Sequence, residues 1–241
     1  MVDTIRIKAS QTMVNYRTPT SYLIRESYPL PPYSTVAGMI HSVCGFTSWR
    51  PMKISVQGRV RGITSDLFVR YTFGNQKFDK DRHQIAVPAD DSQSVKLGVF
   101  RGVSHVELLC EVELVLHVLP ECEEDFELIL KGLNAPRVFP SLGRYEDLLD
   151  IREVKTVKLE RGKIFEPKYD MFLPIRLIQA NLDDLPGTTY LLHKEFEYDA
   201  KKRRRWKDTI ETLYIGSRDI GSNLLRFLDV DEEGQFPVAF A

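Results

Sequence analysis

Four side chains have the chemistry to cut RNA without a metal: His41, His83, Lys80 and Tyr33. Such a cut needs a base that deprotonates a 2′-hydroxyl and an acid that protonates the leaving oxygen. It also needs both held rigidly around one phosphate. His41 falls on a predicted helix, and Lys80 and His83 fall on a predicted loop. Their spacing does not show that they converge. Metal chemistry has less support: the five histidines have no ligand spacing, and Cys44, Cys110 and Cys122 form no CxxC pair. There is no GxxxxGK[ST], HExxH or GxSxG motif, so the expected cofactor set is empty.

Phosphate binding is the second candidate chemistry, and residues 28–45 carry it. Pro29, Pro31 and Pro32 keep Tyr28 to Tyr33 extended. Ser34 is then a suitable N-cap. Val36, Met39, Ile40, Val43 and Cys44 follow at helical spacing, and Gly45 suits the C-cap. A helix N-terminus offers free amides to an anion. Gly38, inside the helix, costs stability, which predicts a close approach to its backbone. Ser34, Thr35, Gly38 and His41 are therefore candidate RNA contacts, with Tyr33 or Tyr22 stacking on a base.

The net charge of −1 hides an asymmetry. Residues 1–103 hold 14 Lys+Arg against 7 Asp+Glu, and the remainder holds 19 against 27. A basic half suits a polyanion, although chance clustering of solvated charges gives the same count. No apolar run is long enough to span a membrane and no signal peptide opens the sequence. With scattered cysteines, this predicts a reducing, cytoplasmic setting.

Ile5, Ile7 and Ala9 alternate with Arg6 and Lys8, which predicts a strand with a cationic outer face. Residues 15–25 read as a polar and aromatic connection whose Arg17 and Arg25 suit phosphate, or as a loop packed by its own tyrosines. Residues 52–60 predict a second strand, with Arg59 and Arg61 outward; residues 62–66 predict a turn, and 67–73 a third strand. Residues 74–103 read as a long loop or loose hairpin carrying Lys80, Arg82, His83 and Arg101. They form either a basic arm that touches RNA or a disordered insertion. Residues 106–118 predict a long strand, 122–133 a helix with acidic residues at its N-terminus, 139–144 a turn, and 151–160 a strand. After 165 come short strands, a basic tip at 201–206 that either binds RNA or is a solvated hairpin end, and an acidic tail from Asp229 expected to fray. The order predicts an α+β class: a ferredoxin-like, RNA-recognition-type domain over 1–164 with a basic arm at 74–103, then a small β-rich C-terminal lobe over 165–241.

At residues 28–45 the chain resembles the Cas-five family of CRISPR-associated proteins, in the repeat-associated RNA-binding superfamily, and most of all its type I-B members. The signature is the proline-rich entry, a small hydroxyl residue, then Val36-Ala37-Gly38-Met39-Ile40. Leu142-Gly143-Arg144-Tyr145-Glu146 is similar to that family's later Gly-Arg turn, which adds Gly143 and Arg144 to the RNA-binding candidates. The resemblance implies a non-catalytic Cascade subunit that clamps the 5′ handle of the CRISPR RNA, with 74–103 as a thumb against the RNA. It implies a Cas-seven type backbone subunit and a Cas-eight type large subunit as partners, and target DNA reached only through the complex. In one subtype the family member is the repeat endonuclease, so metal-independent cleavage is the runner-up. A generic RNA-recognition protein outside CRISPR is a third, weaker reading.

Overall fold

The computed structural model describes residues 2–21, 24–89, 94–161, 167–178, 185–221, 228–231, 233 and 236–241. Strand β1 (Val2–Val14) leads through the short β2 (Ile24–Arg25) to helix α1 (Tyr33–Cys44). β3 (Met52–Lys77), β4 (Ile85–Pro88) and β5 (Lys96–Pro120) follow, then α2 (Glu123–Asn134) and β6 (Asp150–Arg161). Next are β7 (Asp170–Pro174), β8 (Thr188–Leu192), β9 (Phe196–Tyr198), β10 (Arg204–Trp206), β11 (Ile210–Ile215), β12 (Asp229–Asp231) and β13 (Phe236–Val238). One sheet runs β13-β12-β6-β1-β5-β3-β7-β11-β8, with β2 and β4 also paired to β5; β9 and β10 form a separate hairpin.

Both helices cover one face of that sheet. Val36, Met39, Ile40 and Val43 of α1 share a core with Ile129 and Leu133 of α2 and with Ile5, Ile7, Ile54, Val56, Leu114 and Leu116 below them. Gly132 lets the helices touch: a Cβ there would lie 2.5 Å from Cys44 Sγ. Gly45 closes α1 in the left-handed conformation, at φ 71°, as its position predicts.

Strand makes up 53% of the described residues and helix 14%, so the protein is mostly β, which corrects the expected α+β, ferredoxin-like class. The excess strand has a physical origin. The turn expected at residues 62–66 is absent, and β3 is one strand of 26 residues. Gly62, Thr64, Ser65 and Asp66 each face a residue of β5, so the backbone groups of both strands find partners there. Of the two readings of 74–103, a long loop or a loose hairpin, the described residues show the hairpin: they form the outer end of the β3–β5 pair. β3 and β5 stay paired to Lys77↔Leu97, and β4 adds a third strand from Ile85↔Val99 to Pro88↔Lys96. Beyond residue 165, strands join both edges of the same sheet; the boundary expected at 164/165 lies outside the described residues.

The described residues of the acidic tail, expected to fray, are paired into the sheet. β12 pairs with β6, and an ionic cluster fastens it. Arg6, expected to face outward, is only 2% exposed. Its Nη1 donates to Asp231 Oδ2 at 2.6 Å, and its Nε and Nη2 donate to Glu153 Oε1 at 3.1 and 2.9 Å. Glu233 accepts from Nη2 at 3.1 Å. His117, fully buried, sits with Nε2 3.2 Å from the same Asp231 oxygen. Burial holds the His117 pKa below its ordinary value, against the pull of Asp231; Arg6 lowers it further. Arg6→Ala leaves Asp231 buried without its cation and should destabilise the fold by about 3–5 kcal/mol in urea unfolding. Because the unfolded chain takes up a proton at His117 near the ordinary pKa of 6.5 and the folded chain resists it, stability should be whole above that pH and fall below it. His117→Gln should flatten this decline between about pH 5 and 6.5; an unchanged slope would show that another group sets it.

Candidate nucleic-acid interface

Helix α1 buries Val36, Met39, Ile40 and Val43, which turns Ser34, Gly38, His41 and Ser42 outward. Its N-terminus differs from the expectation. Pro32, not Ser34, holds the cap position, and no side chain caps the helix. The Ser34 N–H donates to the His193 carbonyl at 2.9 Å, and those of Thr35 and Val36 donate to the Pro32 carbonyl at 2.9 and 3.2 Å. These amides are therefore occupied. Tyr33 is wholly buried against Phe172 and cannot stack on a base; burial pushes its pKa well up. Gly38 is not approached by the chain: a Cβ there would meet nothing within 4 Å. It opens onto a groove.

The β9–β10 hairpin forms the facing wall. Strand alternation divides the basic tip into two sides. Arg203 and Arg205 turn to Asp199, donating to its carboxylate at 2.9 and 3.3 Å. Arg204 and Trp206 turn the other way, opposite Tyr198 and Phe196. The Arg204 guanidinium lies 3.9 Å from the Phe196 ring centre and 4.5 Å from that of Trp206. His193 stacks on Trp206 at 4.8 Å and 6° between planes. Asp208 fixes the base of the hairpin, accepting from the Lys194 and Glu195 amides at 3.4 and 3.2 Å.

Two clefts lie between helix and hairpin, and both are lined by Ser34, Gly38 and Arg204. The first, about 500 Å³, sets the cations Arg17 and Arg204 and the hydroxyls of Thr35, Ser42 and Ser141 beside Tyr28 and Trp206. The second, about 600 Å³, is aromatic, with His41, Phe46, Trp49, Phe196 and Tyr198. His41 stacks on Trp49 at 5.2 Å and accepts from the Arg50 amide at Nε2. Burial lowers its pKa, so it is neutral at physiological pH.

Arg17 also lines a neighbouring pocket of about 370 Å³ with Arg25, Phe68, Arg70 and Tyr71. Arg25 lies 3.7 Å over the Phe68 ring. Burial, and then the guanidiniums of Arg17, Arg144 and Arg70, push the Arg25 pKa down. Cations crowded this way repel one another until an anion enters. Arg144 comes from a turn built around buried Asp147, which accepts from the Asn15 and Arg144 amides and from the Arg144 side chain at 2.6–3.1 Å. Gly143 is at φ 114°, and a Cβ there would lie 2.8 Å from Asp147 Oδ2.

The structure thus brings together Arg17, Ser34, Thr35, Gly38 and Gly143, with Arg25 and Arg144 beside them and His41 in the adjoining cleft. It leaves the others apart. Arg59 and Arg61 approach Glu113 at 2.9 and 3.7 Å. Lys80, Arg82 and Arg101 are exposed on the arm. His83 is buried at the arm tip against Phe78 and Phe100, where its Nδ1 accepts from the Asp79 amide at 3.0 Å. Tyr22 lies outside the described residues. The sequence reading places Arg204 and Trp206 only within a basic tip that either binds RNA or is a solvated hairpin end, and gives His193 no RNA role. The available signal was parity, since Phe196, Tyr198, Arg204 and Trp206 fall on one face of any hairpin tipped at 199–203.

The family model described as CRISPR-associated protein (Cas_Cas5) matches residues 4–215. No curated protein matches the sequence. A solved chain of a CRISPR RNA-guided surveillance complex is similar with a TM-score of 0.52 at 17% identity, over 90% of this chain and 92% of that one. A crystal structure of a CRISPR protein from Archaeoglobus fulgidus is similar over 98% of both chains, at 12% identity and a TM-score of 0.40. The first likeness shows a shared fold, and the family match extends over most of the sequence: the chain belongs to the CRISPR-associated protein (Cas_Cas5) family.

Proposed function

We propose that this protein is a non-catalytic subunit of a type I CRISPR surveillance complex that holds the 5′ handle of the CRISPR RNA. The observation that carries the reading is the two-part groove on the outer face of α1. Its cationic part, with Arg17, Arg204 and a row of hydroxyls, suits a sugar–phosphate backbone. Its aromatic part suits unpaired bases, which is how proteins read single-stranded RNA. The β3–β5 arm, with Lys80, Arg82 and Arg101 exposed, would brace the strand outside the groove. The partners would be a Cas-seven type backbone subunit and a Cas-eight type large subunit, with target DNA reached through the assembled complex. The alternative, a metal-independent endoribonuclease, has one candidate base in the groove, the neutral His41, although its acceptor nitrogen Nε2 already takes the Arg50 amide. Against it stands the packing of His83 among Phe78 and Phe100, away from that groove.

Handle affinity should fall steeply with salt, because each neutralised phosphate releases counterions. Arg17→Glu with Arg25→Glu should weaken binding about tenfold or more and lower the salt slope by about 2. Unchanged affinity and slope would remove this groove as the RNA site. Labelled repeat RNA incubated with the protein in EDTA should stay intact. A specific cut ending in a 2′,3′-cyclic phosphate, lost in His41→Ala at unchanged affinity, would promote the endoribonuclease.

A further inference from the structure

We propose that the β3–β5 arm is a strand acceptor: an extended segment of a partner protein, with alternating apolar side chains and carboxylates, pairs along the open edge of β3 and covers the apolar face beside it. The proposal rests on the subunit reading above and gives the arm a protein-binding task besides its contact with RNA. In the sheet β3 lies between β5 and β7, but β7 holds it only at Gln57 and Gly58. From Arg59 to Lys77 the second edge of β3 carries no strand among the described residues. Every second N–H and C=O of that stretch turns away from β5 and is left for another chain. Open edges are usually guarded by lysines, prolines, bulges or shortness. Between Gly62 and Gln76 this edge has no lysine and no proline.

The side chains narrow the occupant. Ile63, Leu67, Val69, Tyr71 and Phe73 share one face of β3 by alternation, and Val103 of β5 joins them opposite Val69. All six are exposed, Phe73 by 72% and Val103 by 70%. Together they uncover on the order of 700 Å² of largely apolar side chain, more than the apolar patches of ordinary monomers and close to one partner's share of a stable interface. RNA fits this face poorly. Ile63, Leu67, Val69 and Val103 have no ring to stack on a base and no donor for a phosphate. Phe68 turns to the opposite face, where Arg25 lies over its ring. A second copy fits poorly too. Residues 60–77 and 96–104 hold five Lys and Arg against one acid, Asp66, so two arms laid edge to edge repel. The same imbalance favours a strand whose polar positions are carboxylates. Arg101, exposed opposite Tyr71, is the cation that such a carboxylate meets.

The test compares the free chain, the chain with handle RNA alone, and the complex assembled with the backbone and large subunits proposed above. Amide hydrogen exchange is read over residues 63–73. It should slow about tenfold or more in the assembled complex and stay unchanged with RNA alone. Val69→Lys with Val103→Glu keeps an attractive cross-strand pair in the arm while removing the middle of the apolar face. This double variant should bind the handle as the wild type does and join the other subunits about tenfold more weakly or worse. Unchanged exchange in the complex, or full assembly of the variant, refutes the acceptor and leaves the RNA reading standing. Slowing by RNA alone makes this face an RNA contact, and slowing in the free chain that grows with its concentration makes the occupant a second copy; either overturns the proposal. If the wild type joins no complex, the subunit reading falls and the acceptor with it.

Discussion

Everything in this molecule hangs on the backbone ladder of β5. Its 25 residues pair with β1, β2, β3 and β4, so one strand orders the middle of the sheet, the root of the arm and the basic loop before α1. The loop is stitched down through Glu107: its carbonyl accepts from Asn15 Nδ2 at 2.8 Å and its carboxylate from the Ser27 amide at 3.2 Å. Asn15 Nδ2 also donates to the Arg25 carbonyl, which helps fix Arg25 where its guanidinium meets Phe68. An acidic side chain thus helps to build a cationic surface.

The same logic accounts for the charge asymmetry. Many acids of the C-terminal part pair with bases of the N-terminal part: Asp231, Glu153 and Glu233 at Arg6, Glu153 at Lys8, Asp125 at Arg50, Glu113 at Arg59 and Arg61. The raw surplus of 14 bases over 7 acids in residues 1–103 therefore overstates the cationic surface. Three of the groove arginines are held differently, although Arg144 is paired with Asp147. Arg17 donates to the Ser21 carbonyl, Arg25 rests on Phe68, and Arg204 rests on Phe196 and Trp206. Carbonyls and ring faces orient a guanidinium while leaving its full charge for a ligand.

This division also marks what the sequence makes legible. Both helices fall where periodicity places them, and 188–192 is a strand as expected, because side-chain spacing is a local property. The continuity of β3 through Gly62 and Asp66 was not legible, since those residues favour turns and only a partner strand forty residues away overrides them. The ordered tail was hidden for the same reason: Asp231 is a solvated acid until Arg6, 225 residues away, meets it. Within the site, Ser34, Gly38 and His41 were readable from the outer face of a helix. Tyr33 misled because a ring beside prolines suggests exposure, whereas its place on the helix turns it toward Phe172.

The groove is assembled from distant segments, and its joints are bonds rather than loose contacts. The Ser34 amide is tied to the His193 carbonyl, and Lys194 Nζ donates to the Ala241 carbonyl at 2.9 Å. A groove so fixed has little conformational freedom to lose when a strand enters it. Gly38 shows the remaining part of the design. A glycine in a helix interior costs about 1 kcal/mol relative to alanine. Packing within the chain does not require it, because a Cβ at that point would stand in open space. The space it leaves lies where the cationic and aromatic clefts join, so the absent side chain serves whatever crosses from one to the other.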